Sequence, residues 1–225
     1  MMRRAIAIVV CLAQSASAIV IHPPHNGLKM DSPAFGPDII TDTFVDTAST
    51  ALTSHTSDSG HTWAAHSSSA GSAIVVSPDR IQANSGTVLN YSSTQPVSMD
   101  YDIITRMFCQ STTYQGAGSG AMARMQIGST DLYYWRYSSA LNWSIAEAVA
   151  GAGALIGNAY PDTLTASQTY TVRFQVRGKT LKLFVDGVLR CVAIGSVAHP
   201  AGRPGIRGRT QTGALYWEDF RVKSK

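Results

Sequence analysis

Polar and apolar residues alternate most cleanly near the C-terminal end of the chain. Val172, Phe174 and Val176 are interleaved with Arg173, Gln175 and Arg177, and after Gly178-Lys179 the pattern resumes at Leu181, Leu183 and Val185. A period of two predicts strands with one buried and one wet face. Asp186-Gly187 then separates LKLFV from VLRCV, and this dipeptide supplies the positive φ angles that a tight hairpin needs. Three strands therefore meander here. A second run, over residues 97–110, sets Met99, Tyr101, Ile103, Met107 and Cys109 on one face and Asp100, Asp102, Arg106 and Gln110 on the other. Shorter runs predict strands at 73–76 and 80–82 across a Ser-Pro-Asp turn, at 121–127, 132–137 and 142–149, and at the closing AGRPGIRGR and WEDFRV.

Composition supports an all-β chain. Charged residues make up 14 % of the sequence, and glutamate occurs only at Glu147 and Glu218. Strong helix formers are thus scarce, while Ser, Thr, Gly and β-branched residues are plentiful. A length of 225 residues suits one sandwich domain with a real core. The net charge is +4, and Arg3 and Arg4 supply two of the positive charges. No clustered basic surface of the kind a nucleic-acid binder uses is visible, so no nucleic-acid partner is expected.

Three segments follow. Residues 1–18 carry Arg3-Arg4, an apolar run and Ala16-Ser17-Ala18, the parts of a secretory signal, which predicts a secreted protein. The apolar run is too short for a membrane span. The alternative for residues 1–18 is an apolar docking arm. Residues 19–40 contain His22-Pro23-Pro24-His25, Ser32-Pro33 and Gly36-Pro37, a composition for a Pro-rich linker or arm. The folded domain is expected over 41–225.

The order of motifs resembles the concanavalin A-like lectin/glucanase superfamily, in its laminin-G-like jelly-roll branch. The resemblance rests on Asp42-Thr43-Phe44 with Gly60 and Trp63 downstream, the central MARMQIGSTDLYYWRY, then TYTVRFQVRGKTLKLFVDG, AGRPGIRGR and WEDFRV. It implies an antiparallel jelly-roll β-sandwich of two curved sheets, with first and last strands adjacent and a ligand site on one sheet or its rim. It also makes calcium plausible as a cofactor, with Asp42 and Asp219 on neighbouring terminal strands as its carboxylates. The competing reading is that these two aspartates cap and hydrogen-bond those strands.

Catalysis has little support. Retaining glycosidases need two carboxylates about 5 Å apart, and laminarinase-type members of the superfamily carry E-x-D-x-x-E on one strand. That motif is absent, Glu147 has no acid two residues on, and Glu218 is followed by Asp219 on the opposite face. A glycan hydrolase or lyase acting through less recognisable residues remains a minor alternative. His55, His61 and His66 have no zinc-site spacing.

Binding fits better. Arg124 with Gln126, and Tyr134 with Arg136, share faces of successive strands, and Arg106 from the preceding strand is expected to join them. Planar donors beside an aromatic plate suit a sugar ring or an acidic glycan. The alternative is an ordinary solvated face with Tyr133, Trp135 and Tyr137 as core. Trp143, near a hairpin tip, is added as a rim contact, whereas Trp63 and Trp217 are expected in the core. Cys109 and Cys191 form an even pair that permits one disulfide, or are free buried thiols.

The leading expectation is a non-catalytic, lectin-like module recognising glycan or a surface polysaccharide. The alternative, from another class, is a virion or phage decoration protein whose jelly roll is an exposed head and whose residues 1–40 dock onto other subunits.

Overall fold

A computed structural model describes residues 36–77, 79–111, 118–138, 140–209 and 215–225. The expected signal segment 1–18 and most of the arm over 19–40 lie outside the described residues. The strands are β1 Asp38–Asp42, β2 Trp63–Ala65, β3 Ala73–Ser77, β4 Arg80–Ala83, β5 Thr87–Ser92, β6 Tyr101–Cys109, β7 Gly120–Met125 and β8 Leu132–Ser138. They continue as β9 Asn142–Val149, β10 Ala152–Pro161, β11 Gln168–Arg177, β12 Thr180–Val185, β13 Val188–Ile194, β14 Arg203–Arg209 and β15 Leu215–Ser224. The first sheet runs β13-β12-β11-β6-β15-β4-β3 with β1 added against β15, and the second runs β10-β9-β8-β7-β14-β5-β2.

Alternation decides which side chains fill the space between the sheets. Ile103, Met107, Val172, Phe174, Leu183, Trp217 and Phe220 enter from the first sheet, and Val88, Tyr133, Trp135, Tyr137, Trp143 and Ile206 from the second. Trp63 crosses the gap, meeting Phe220 edge-on at 5.1 Å between ring centroids. The meander over β11, β12 and β13 has the expected register, with Phe174 opposite Leu183 and Val185 opposite Val188 across the Asp186-Gly187 turn. Both turn residues have positive φ, as the sequence requires.

The chain enters and leaves side by side. β1 pairs antiparallel with β15, Asp42 opposite Phe220, and the Gly36 amide donates to the Ser224 carbonyl at 3.2 Å. β1 begins within the segment expected to be an arm, because Ile40 is a core residue.

β10 and β5 are among the strands that escape sequence reading. β10 spans the glycines of GAGALIGNAY, which read as a loop; it is an edge strand on β9 with a register shift between Ile156 and Tyr160. Gly157 has φ +74, and a Cβ there would lie 2.5 Å from the Val192 carbonyl, so glycine permits β10 to close against β13 of the other sheet. β5, with the sequence TVLNYS, was not predicted either. β6 starts at Tyr101 rather than 97, and Val97 is fully exposed.

Candidate functional site

Tyr134 and Arg136 project from β8 on the side opposite Tyr133, Trp135 and Tyr137. The latter three belong to the inter-sheet core, whereas Tyr134 belongs to a second apolar cluster with Leu89, Met122, Met125, Leu132, Ala146 and Ala148. This second cluster floors the outer face of the seven-stranded sheet. One cross-strand row there runs Tyr91, Gly205, Met122, Tyr134, Ala146, Leu155 from β5 through to β10.

Arginines stand on that floor. The Arg207 guanidinium lies 4.5 Å from the Tyr134 ring centroid, and Arg203 lies 5.6 Å from that of Tyr91. Arg207 donates from Nη1 to the Gly118 carbonyl at 3.1 Å, and Arg136 donates from Nε to Ser144 Oγ at 3.4 Å. Gly118 makes this packing feasible. Its φ is +68, and a Cβ would meet Arg136 Cδ at 2.6 Å, so any side chain there would displace the guanidinium. Arg136 and Arg207 are half-buried, their stems covering apolar surface while the planar heads frame Tyr134. Tyr134 is itself buried, 6 % exposed beneath Arg207, so what this face offers a ligand is the planar donors of the guanidinium heads.

The other residues expected at the site are elsewhere. Arg106 lies on the outer face of the opposite sheet, where it pairs with Glu218 at 3.3 Å. The reason is topological: β6 hydrogen-bonds β11 and β15, and the chain changes sheets before β7. Arg124 is 1 % exposed. It sits at a bulge with φ +55, where β7 uses three residues against two of β14, and its side chain turns inward. There it donates to the Met99 carbonyl at 3.0 Å and the His199 carbonyl at 3.1 Å, and pairs with Asp100 at 3.2 Å. Gln126 donates to the carbonyls of Pro200 and Ala201 at 3.4 and 3.3 Å. Both side chains are thus occupied in holding the 195–202 loop. Trp143 is completely buried, 4.9 Å from the Tyr137 ring, with its indole N–H donated to Asp162 Oδ2 at 2.9 Å. It is core rather than rim.

Calcium finds no joint carboxylate site at Asp42 and Asp219. Asp42 faces the core, and its oxygens accept hydrogen bonds from the Phe44 amide at 2.7 Å, the Trp63 indole at 2.6 Å and His55 Nε2 at 2.9 Å. Asp219 is one residue past a bulge on β15 and is held by Arg221 at 2.9 Å. Among the described residues no group of three or more His, Cys, Asp or Glu is placed to hold a metal. Asp42 and Asp219 therefore do not form a shared calcium site, because the oxygens of each are already held by other partners. His55 is instead sandwiched, its Nδ1 lying 3.0 Å from Asp46. Burial alone would lower its pKa, but hydrogen bonds to Asp42 and Asp46 raise it above the ordinary value.

Cys109 and Cys191 are free and buried. Three strand spacings separate β6 from β13, about 14 Å, against the roughly 7 Å a disulfide spans. Each thiol donates to a carbonyl, Cys109 to Ser111 and Cys191 to Trp143, both at 3.4 Å. Burial pushes the Cys191 thiol up to about 11, which keeps it protonated and inert.

Two packed antiparallel sheets in this order, with first and last strands paired, define the concanavalin A-like jelly roll. No protein-family model matches the sequence, and no curated protein matches it. Solved structures do share its fold. A carbohydrate-binding module, CBM66 from Bacillus subtilis, superposes with a TM-score of 0.58 at 16 % identity, covering 72 % of this chain and 95 % of that one. The exoplasmic/lumenal domain of VIP36 in a Ca2+/Man2-bound form gives 0.58 at 9 % identity, covering 79 % and 87 %. The GH43 protein BlXynB from Bacillus licheniformis gives 0.55 at 12 % identity, where 83 % of this chain matches 39 % of that one.

Proposed function

We propose that this chain is a non-catalytic glycan-binding module of an exported protein. The observation that carries the reading is the outer face of the seven-stranded sheet, where the half-buried Arg207 and Arg136 stand over an apolar floor that includes the buried Tyr134. Planar guanidinium donors held over apolar surface are groups that can hydrogen-bond the hydroxyls of a sugar. The fold is also that of a carbohydrate-binding module and of the VIP36 exoplasmic/lumenal domain in its Ca2+/Man2-bound form.

The glutamates support a binding role over a catalytic one. Glu147 is buried beneath three donors, the Ser196 amide at 2.8 Å, the Ser196 hydroxyl at 2.6 Å and the Val197 amide at 3.2 Å. Glu218 is held by Arg80 at 2.9 Å and Thr169 at 2.9 Å. Among the described residues, the hydrogen-bond and ion-pair partners of both glutamates are donors and cations rather than a second carboxylate of the kind glycoside hydrolysis requires.

A glycan array followed by titration calorimetry, with and without calcium, tests the proposal. Binding without calcium is expected. Arg207→Ala is expected to weaken it by at least about tenfold, the scale on which a stacked, hydrogen-bonding arginine contributes. A blank array in both conditions would sink the proposal.

A further inference from the structure

The two outer faces of the sandwich treat charge differently. On the eight-stranded sheet each acid has cations beside it: Asp102 lies 2.6 Å from Arg177 and 3.7 Å from Arg173, Glu218 pairs with Arg80 and Arg106, Asp219 with Arg221, and Asp38 with Lys223. Among the described residues of the seven-stranded sheet, the outward positions carry arginines and no acid. Arg203, Arg207 and Arg209 alternate along β14, and Arg136 stands on β8 two strands away. The outward residues of β5, β7 and β9 are Leu89, Tyr91, Met122, Met125, Ser144, Ala146 and Ala148, with no Asp or Glu among them. The second glutamate-bearing strand, β9, turns Glu147 inward, where it meets the 195–202 loop and His199 at 3.3 Å.

From this asymmetry we infer that the ligand of the seven-stranded face is an acidic glycan, one bearing repeated carboxylate or sulfate groups. The inference rests on the glycan-binding reading and narrows it. Outward positions two apart on a strand stand roughly 7 Å from each other, so Arg203, Arg207 and Arg209 form a ladder of fixed charge rather than a single anion pocket. Between Arg203 and Arg207 the ladder is interrupted by Gly205. A Cβ there would meet the Asn90 carbonyl at 2.2 Å and Met122 Cε at 2.9 Å, so β5 and Met122 fill that position and leave a gap in the charge. Charges at intervals match a chain that carries its charged substituents at intervals along a sugar backbone. An array of guanidiniums on a sheet without carboxylates raises the local positive potential, and a polyanion neutralises it at several points at once. Arginine forks also match carboxylate and sulfate geometry better than point charges do.

The experiment uses the full chain against an array holding neutral and acidic members of matched backbone, dextran with dextran sulfate and galactan with polygalacturonate, plus duplex DNA as an acidic polymer without that sugar scaffold. Binding to dextran sulfate or polygalacturonate is expected, with affinity falling about tenfold or more between 50 and 200 mM salt, the behaviour of a surface that releases counterions. Arg209→Ala, at an exposed position, and Arg136→Ala are each expected to weaken that binding severalfold and flatten the salt dependence. Arg221→Ala, on the opposite sheet, leaves it unchanged. An unchanged melting temperature in the two weakening variants separates lost contact from lost fold. If the array shows only neutral glycans bound, the acidic assignment falls and the glycan-binding reading stands. A blank array overturns both, and DNA binding as tight as that of the acidic glycans overturns the glycan assignment in favour of a general polyanion surface.

Discussion

Tyr134 and Trp143 sit on adjacent strands, yet they face opposite ways and do opposite work. The indole of Trp143 is enclosed among Trp135, Tyr137 and Tyr170 and spends its N–H on Asp162. Trp143→Ala is therefore expected to cost about 3–5 kcal/mol of stability, read as a fall in the denaturant midpoint, while glycan binding by the folded fraction is unaffected. Loss of binding at unchanged stability would return Trp143 to the rim. Asp42 is a second residue whose role is internal. Asp42→Ala strands the Trp63 indole N–H in the core, and a buried donor without a partner costs about 1–3 kcal/mol; an unchanged midpoint in a urea titration would contradict this.

Side-chain direction at these positions was legible only where the strand is regular. Along β8 the alternation correctly separates Tyr134 and Arg136 from their aromatic neighbours. At Arg124 it does not, because one extra residue in β7 resets the facing and nothing in MARMQ marks the bulge. A buried arginine also contradicts the usual expectation for its type, and only the carbonyls of Met99 and His199 with the Asp100 carboxylate make its position tenable.

At the scale of elements, the 195–202 loop is tethered from several strands at once. Glu147, Arg124 and Gln126 hold it from the seven-stranded sheet, the Tyr133 hydroxyl donates to the Val197 carbonyl, and Lys179 reaches the Ser196 carbonyl at 3.1 Å. Burial pushes the Glu147 carboxyl up, but the donors from Ser196 and Val197 outweigh it and leave its pKa below the ordinary value. Burial lowers that of His199, which Glu147 only partly offsets. Both groups bind fewer protons folded than unfolded, so each adds stability that is lost on acidification. The loss begins below the ordinary histidine value, about 6.5, and deepens below the ordinary glutamate value, about 4.3.

His55 acts in the other direction. Its raised pKa gives stability that is present below about 6.5 and disappears as pH climbs through the folded-state value. Melting temperature against pH is thus expected to show a maximum near neutrality, with His55→Gln flattening the alkaline side and Glu147→Gln the acid side. A profile identical in both variants would contradict this. None of these tethers could be read from sequence, since the partners of Glu147 lie about fifty residues away. The strands read most sharply, β11 to β13, owe it to strict alternation and an Asp-Gly turn. β10 lacks both, being Gly- and Ala-rich and exposed along nearly all its length.

For the molecule as a whole, the all-β character followed from pattern and composition, because a sheet's core face needs only apolar residues at every second position, while the two-sheet sandwich was what the resemblance of the motifs implied. Assignment of strands to sheets did not follow, and with it went the expected grouping of Arg106 with Tyr134 and, of the two readings left open for Cys109 and Cys191, the bridged one. Each of those errors joins residues that lie in different sheets or several strands apart. The balance of acids over the two faces was equally hidden, since it depends on which side of each strand faces outward after the sheets have formed.

The bond between the Gly36 amide and the Ser224 carbonyl carries one more consequence. A domain whose two tails emerge from neighbouring strands can be closed into a ring by a short peptide and reopened at another exposed turn. Joining residues 36 and 224 through a few glycines and opening the chain between Asp186 and Gly187 is expected to give a permuted protein with the same β-sheet circular dichroism and a cooperative melt. The same geometry lets the module be spliced into a loop of a larger host without stretching it, attached at one edge with both broad faces left to the solvent.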